Sequence, residues 1–144
     1  MDETNELLMH LYETADMGVK STKKLLKILK NKDNKIKGVL ENELKQYENF
    51  YKEAKNLLNK HSIKPCKKLM ANMVANTTMQ MEIDKDNSDS KIAEILSRGF
   101  IMGVTGLKKK ISDYEKEASH KIIRLAKNLV IFQEKEIENL KEYL

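Results

Sequence analysis

Apolar residues recur every three or four positions along this chain, and each long stretch with that period predicts an amphipathic helix. From Glu3 to Lys30 the inward stripe reads Leu8, Leu11, Tyr12, Ala15, Val19, Thr22, Leu26 and Leu29. From Asp33 to His61 it reads Ile36, Leu40, Tyr47, Phe50, Ala54 and Leu57. A third helix covers about Cys66–Ile83 and carries Met70, Met73, Met79 and Met81; a fourth covers about Lys91–Lys110. The last runs from about Asp113 to Tyr143, with Ala118, Ile122, Leu125, Leu129, Phe132 and Leu140 inward. No window alternates apolar and polar residues long enough to suggest a strand, so the chain reads as all-α.

The breaks between these stretches set the connectivity. Asn31-Lys32-Asp33-Asn34 is a short polar turn. Ser62-Ile63-Lys64-Pro65 ends the second helix, and its proline suits the first turn of the next. Asp84 to Ser90 is the strongest breaker, and Ser112 followed by Glu115 reads as a capping box opening the last helix. Short first and last turns make two antiparallel hairpins, while the middle connection contains a helix of its own. Residues 1–144 therefore read as one domain, a four-helix bundle with one long crossover.

Two positions break the pattern. Glu43 lies at the centre of the second helix's apolar stripe, and Glu136 lies in the stripe of the last helix. A buried, unpaired carboxylate costs several kcal/mol or stays protonated, so each needs a proton, a partner or a metal.

In topology and spacing, over nearly the whole length, the chain resembles small bacterial proteins of the ferritin-like superfamily. Di-metal members of that superfamily carry a carboxylate on the first and third bundle helices and Glu-x-x-His on the second and fourth. Here the second-helix position matches Glu43-Leu44-Lys45-Gln46, with glutamine for histidine, and the fourth matches Gln133-Glu134-Lys135-Glu136. Asp16 is the first-helix candidate, and the third bundle helix shows Gly99, Gly103 and Gly106 where its carboxylate would stand. The resemblance implies Glu43, Glu136 and Asp16 as metal ligands, with Gln46, Gln133 and Tyr47 around them. It offers about three carboxylates and no imidazole, which implies a non-catalytic bundle with a vestigial metal site and no bound cofactor, acting through its surfaces. The alternative is a carboxylate-bound iron or manganese protein with a binding or redox role. The three glycines permit either close approach of a neighbouring backbone or a small pocket beside Glu43.

Other chemistry-bearing residues point to less. Glu117-Ala118-Ser119-His120 spells Glu-x-x-His, but with Ala118 inward both motif residues face away from the core. His10 faces solvent, and His61 stands at a helix end where it caps carbonyls. Asp84-x-Asp86-x-Ser88 begins like a calcium loop, yet Asp89 occupies the sixth position and Ile95 the twelfth. Cys66 precedes Lys67 and Lys68 with no oriented base, and reads as an incidental thiol. The methionine-rich helix is either core or a docking surface for a protein partner.

Composition adds location and charge. A single cysteine permits no intrachain disulfide, no apolar run approaches a membrane span, and Met1-Asp2-Glu3-Thr4 opens no secretory signal; the expectation is a cytoplasmic protein. The net charge of +5 is uneven. Residues 1–17 hold five acids and no base, residues 18–68 fifteen lysines against five acids, and residues 69–144 twelve against twelve. Lys20, Lys23, Lys24, Lys27, Lys30, Lys32, Lys35 and Lys37 should form a basic pole. No arginine or aromatic residue is interleaved with them, so nucleic acid is not the expected partner and a solvated face is. A second copy of the chain is the expected partner.

Overall fold

Leu7, Leu8, Leu11, Tyr12, Ala15, Leu25 and Leu29 share one face and are all buried, each leucine contributing about 2 kcal/mol by leaving water. All but Leu29, which follows directly after it, belong to the first of four long helices in the computed structural model, which describes residues 3–65 and 79–144. These are α1 (Glu3–Ile28), α2 (Lys37–Lys60), α3 (Asp89–Tyr114) and α4 (His120–Leu140), followed by a 3-10 turn at Lys141–Tyr143. Residues 79–85 form a further helical stretch before α3. The described residues contain no strand, and no helix among them is long and apolar enough to cross a membrane. Cys66, Met70 and Met73 lie outside the described residues. Of the other methionines predicted for that helix, Met79 is half-buried and Met81 is exposed.

Side-chain pairs give the helix directions. Tyr12 on α1 meets Tyr51 on α2, with ring centroids 5.2 Å apart, while the later Gly18 meets the earlier Tyr47, so α1 and α2 are antiparallel. Lys108 pairs with Glu134 and Glu115 with Lys127, which makes α3 and α4 antiparallel as well. Between the hairpins, Lys35 meets Asp89 and Tyr47 meets Phe100, so α2 and α3 run the same way. The connection between them must therefore return the full length of α2, about 36 Å for its 24 residues. Buried side chains from all four helices join in one core cluster.

Several boundaries differ from the sequence expectation. Helix α2 begins at Lys37 rather than Asp33, because residues ahead of it are held from outside: Asp89 accepts the Lys35 and Ile36 N–H groups at 3.0 and 3.5 Å. Asn34 Nδ2 donates to Asp89 Oδ1 at 2.9 Å and to the Asn87 carbonyl at 3.0 Å. Helix α2 ends in a tight reversal where the Ile63 N–H bonds the Leu58 carbonyl, the Ser62 N–H bonds that of Asn59, and Ser62 takes a φ of 56°. Helix α3 starts at its Ser88 cap, whose Oγ accepts from the Lys91 N–H, and runs four residues past the expected Lys110. Ile111 continues the buried row of Phe100 and Leu107, which favours keeping the helix intact there. The Ser112–Glu115 capping box does not form: Ser112 lies inside α3, and α4 starts at His120 behind Ser119. In α2, Leu58 is the fully buried residue, and Leu57 is half-buried.

Candidate carboxyl site between α2 and α4

Helical spacing places Glu43 on the row Ile36, Leu40, Glu43, Tyr47, Ala54, and all five side chains are buried, Glu43 completely. On α4 the same logic buries Gln133 and Glu136 among Leu129, Phe132 and Leu140. The two helices face each other, and the Glu43 and Glu136 carboxyls come together as hydrogen-bonding partners. All three phenylalanines of the chain cluster with Tyr47, one turn from Glu43: Tyr47 meets the Phe132 ring edge-on at 5.1 Å, Phe50 lies 5.7 Å from Phe132, and Phe100 lies 6.0 Å from it.

This apolar wall governs the electrostatics. Burial pushes the Glu43 carboxyl up to about 9, assisted by the hydrogen bond and negative charge of Glu136. Among the described residues no N–H or hydroxyl donor reaches either Glu43 oxygen, Glu136 Oε2 or Gln133 Oε1. A hydrogen bond between two carboxyls requires that one carry the proton, and desolvation assigns it to Glu43. Glu136 has a donor of its own: Asn139 Nδ2 donates to Glu136 Oε1 at 3.2 Å. The Tyr47 hydroxyl is held far above its usual range, first by burial and then by the Glu43 charge, with an opposing contribution from its hydrogen bond to Gln133.

The other expected site residues divide. Asp16 is buried on α1 but is tied to Lys20 at 3.0 Å, one turn along the same helix. It does not complete a shell with Glu43 and Glu136, since among the described residues no group of three or more His, Cys, Asp or Glu side chains is placed to hold a metal. Gln46 is half-buried one turn beyond Glu43. Gly103 lies beside Gln133, where an added Cβ would sit 2.8 Å from Nε2. Gly99 and Gly106 are exposed, with nothing described within 4 Å of an added Cβ, so they line no wall beside Glu43. Glu117, His120 and His61 are exposed and His10 is half-buried. Asp86 accepts from the Ser88 N–H at 3.0 Å and so serves the turn before α3.

Two residues of the neighbourhood escaped the sequence reading. Asn139 stands three residues after Glu136, a spacing that places side chains side by side on a helix, and that signal was available. Gly18 on α1 approaches the Tyr47 ring so closely that an added Cβ would overlap it, and a lone glycine in a helix was the only hint. The Asn34 and Lys35 contacts also bring the Asp89 carboxylate to the lysine-rich turn, so a negative charge stands within the expected basic pole. A surface groove of about 270 Å³ runs elsewhere along the α2–α4 seam, floored by Leu57 and Leu125 and bordered by Glu53, Lys121 and Arg124, away from the carboxyl pair.

Compared with known proteins, the chain matches no family, no curated protein and no solved structure.

Proposed function

We propose that this chain is a ferritin-like four-helix bundle, its crossover helix lying in the α2–α3 connection, whose inner carboxylates no longer form a catalytic di-metal centre. The bundle works without turnover, through its surfaces, as a homo-oligomer or on a protein partner. Two antiparallel hairpins with α2 and α3 running the same way support the topology. The observation that carries the functional reading is the Glu43–Glu136 pair itself. Two carboxyls lean on each other at the centre, Asp16 is engaged with Lys20, and no histidine is placed beside them. A di-iron centre needs four carboxylates and two imidazoles, and the described residues assemble half of the first and none of the second. In the resting protein a proton held between Glu43 and Glu136 satisfies the pair.

Anaerobic loading with ferrous ion followed by exposure to oxygen tests this. The expected result is no pair of iron ions per chain and no oxygen uptake above the free-iron rate. Two bound irons that are oxidised at the protein, and lost in Glu43→Gln, would overturn it.

A further inference from the structure

The groove on the α2–α4 seam holds opposite charges apart. Each hairpin reverses the chain while α2 and α3 run the same way, so α2 and α4 are antiparallel. Glu43 meets Glu136, Phe50 meets Phe132, and the groove continues that line toward the end of α2 and the start of α4. Glu53 and Asn128 therefore stand at one end of it, and Leu57 and Lys121 at the other. Arg124 lies one turn along α4 from each of Lys121 and Asn128. Glu53, Lys121 and Arg124 are all exposed, and among the described residues none of the three is in an ion pair. Of the chain's two arginines, Arg98 is engaged with Glu82, whereas Arg124 lines the groove. We propose that this groove binds a zwitterion of dipeptide size, its carboxylate on Arg124 and Lys121 and its ammonium on Glu53. The inference goes beyond the bundle reading and does not depend on how Glu43 and Glu136 are satisfied.

Size, floor and polar groups select this class of ligand. A volume of about 270 Å³ lies at the small end of ligand pockets and suits a small molecule. Glu53 and Leu57 are four residues apart, about 6 Å along α2, and an extended dipeptide spans about 7 Å. Leu125 is buried and Leu57 half-buried, so the floor offers apolar surface for an aliphatic side chain to cover. Asn56 and Asn128 each bring an amide donor and an amide acceptor, the complement of a peptide C=O and N–H. The Arg124 guanidinium can take a carboxylate through two parallel N–H bonds. A plain anion would leave Glu53 unanswered, and a plain cation would leave Lys121 and Arg124 so. A molecule with both charges answers all three.

Nuclear magnetic resonance titration of the full chain, labelled with nitrogen-15, tests the site. The probes are L-leucyl-L-leucine, its N-acetyl form, its C-terminal amide and inorganic phosphate. The expected result is saturable binding of one dipeptide per chain, with shifts centred on Glu53–Leu57 and Lys121–Asn128. Each blocked form should bind at least about threefold more weakly, since each loses one exposed ion pair. Arg124→Ala should weaken the free dipeptide by a similar factor without weakening the amide form. Glu53→Gln should do the same without weakening the N-acetyl form. Both residues are exposed, so the variants keep their fold, which their own spectra verify. A folded natural chain with no saturable shift along the seam overturns the inference and leaves the non-catalytic bundle reading intact. Equal affinity for the free and blocked forms overturns the recognition of the two ends. Phosphate bound as tightly as the dipeptide makes the groove a plain anion patch and likewise overturns it.

Discussion

The backbone of Gly18 rests directly on the ring of Tyr47, and no side chain fits between them. That approach sets the spacing of α1 and α2 at the level of the carboxyl pair, because Tyr47 is one turn from Glu43 and is itself wedged against Phe100 and Phe132. Gly18→Ala should therefore destabilise by about 1–3 kcal/mol, although alanine is the better helix former. Urea unfolding measures this, and a Gly18→Ala protein as stable as the natural one would show that the ring yields freely.

Stability should fall as pH rises through the neutral range. Glu43 titrates near 4.5 in an unfolded chain and at about 9 in the folded one. Its folded pKa is raised, so its contribution is full below the lower value, declines between the two and is gone above the higher. The slope should be on the order of 1 kcal/mol per pH unit inside that window. Glu43→Gln, which mimics the protonated carboxyl, should flatten the slope, and urea midpoints across the window compare the two proteins.

Removing both carboxyls differs from removing one. Glu43→Leu alone leaves Glu136 with Asn139 as its remaining described partner and should cost a few kcal/mol. Replacing Glu43 and Glu136 together by leucine and methionine should be neutral or stabilising by about 1–4 kcal/mol. A thermal melt of the two variants decides it, and a double variant weaker than Glu43→Leu would mean that the pair supports the fold.

Asp89 should couple the hairpins. Its carboxylate takes the Lys35 N–H and the Asn34 amide from across the molecule, so Asp89→Ala should cost about 1–2 kcal/mol. Asn34→Ala should cost less, and the two should be non-additive because they share a bond. Additive losses in a double-mutant cycle would separate the contacts.

Ser62 holds a left-handed conformation at the end of α2, at a position that glycine occupies without strain. Ser62→Gly should stabilise by about 0.5–1 kcal/mol, measured as a higher urea midpoint.

What the sequence disclosed followed from periodicity. Glu43 and Glu136 sit in apolar rows, and a row identifies its buried members whatever their chemistry, which is why both were legible as buried. The α3–α4 boundary was not legible. No proline or glycine stands between Leu107 and His120, so the choice between Ser112 and Ser119 as a start fell to whether Ile111 packs, a tertiary question. The hold of Asp89 on the start of α2 spans more than fifty residues and leaves no local trace. Gly99, Gly103 and Gly106 looked like one stripe, yet the i, i+4, i+7 spacing left only Gly103 against a neighbour, since the core row of α3 runs through Phe100 and Leu107.

The aromatic wall has an optical consequence. The chain holds no tryptophan and five tyrosines, so its near-ultraviolet emission is tyrosine emission alone. Tyr47 lies beside Glu43, Gln133 and Glu136, where a change in the charge of the pair alters the field on the phenol. The natural chain thus carries an indicator inside its own core, and the difference in fluorescence between it and Tyr47→Phe reads the state of the carboxyls without any added label.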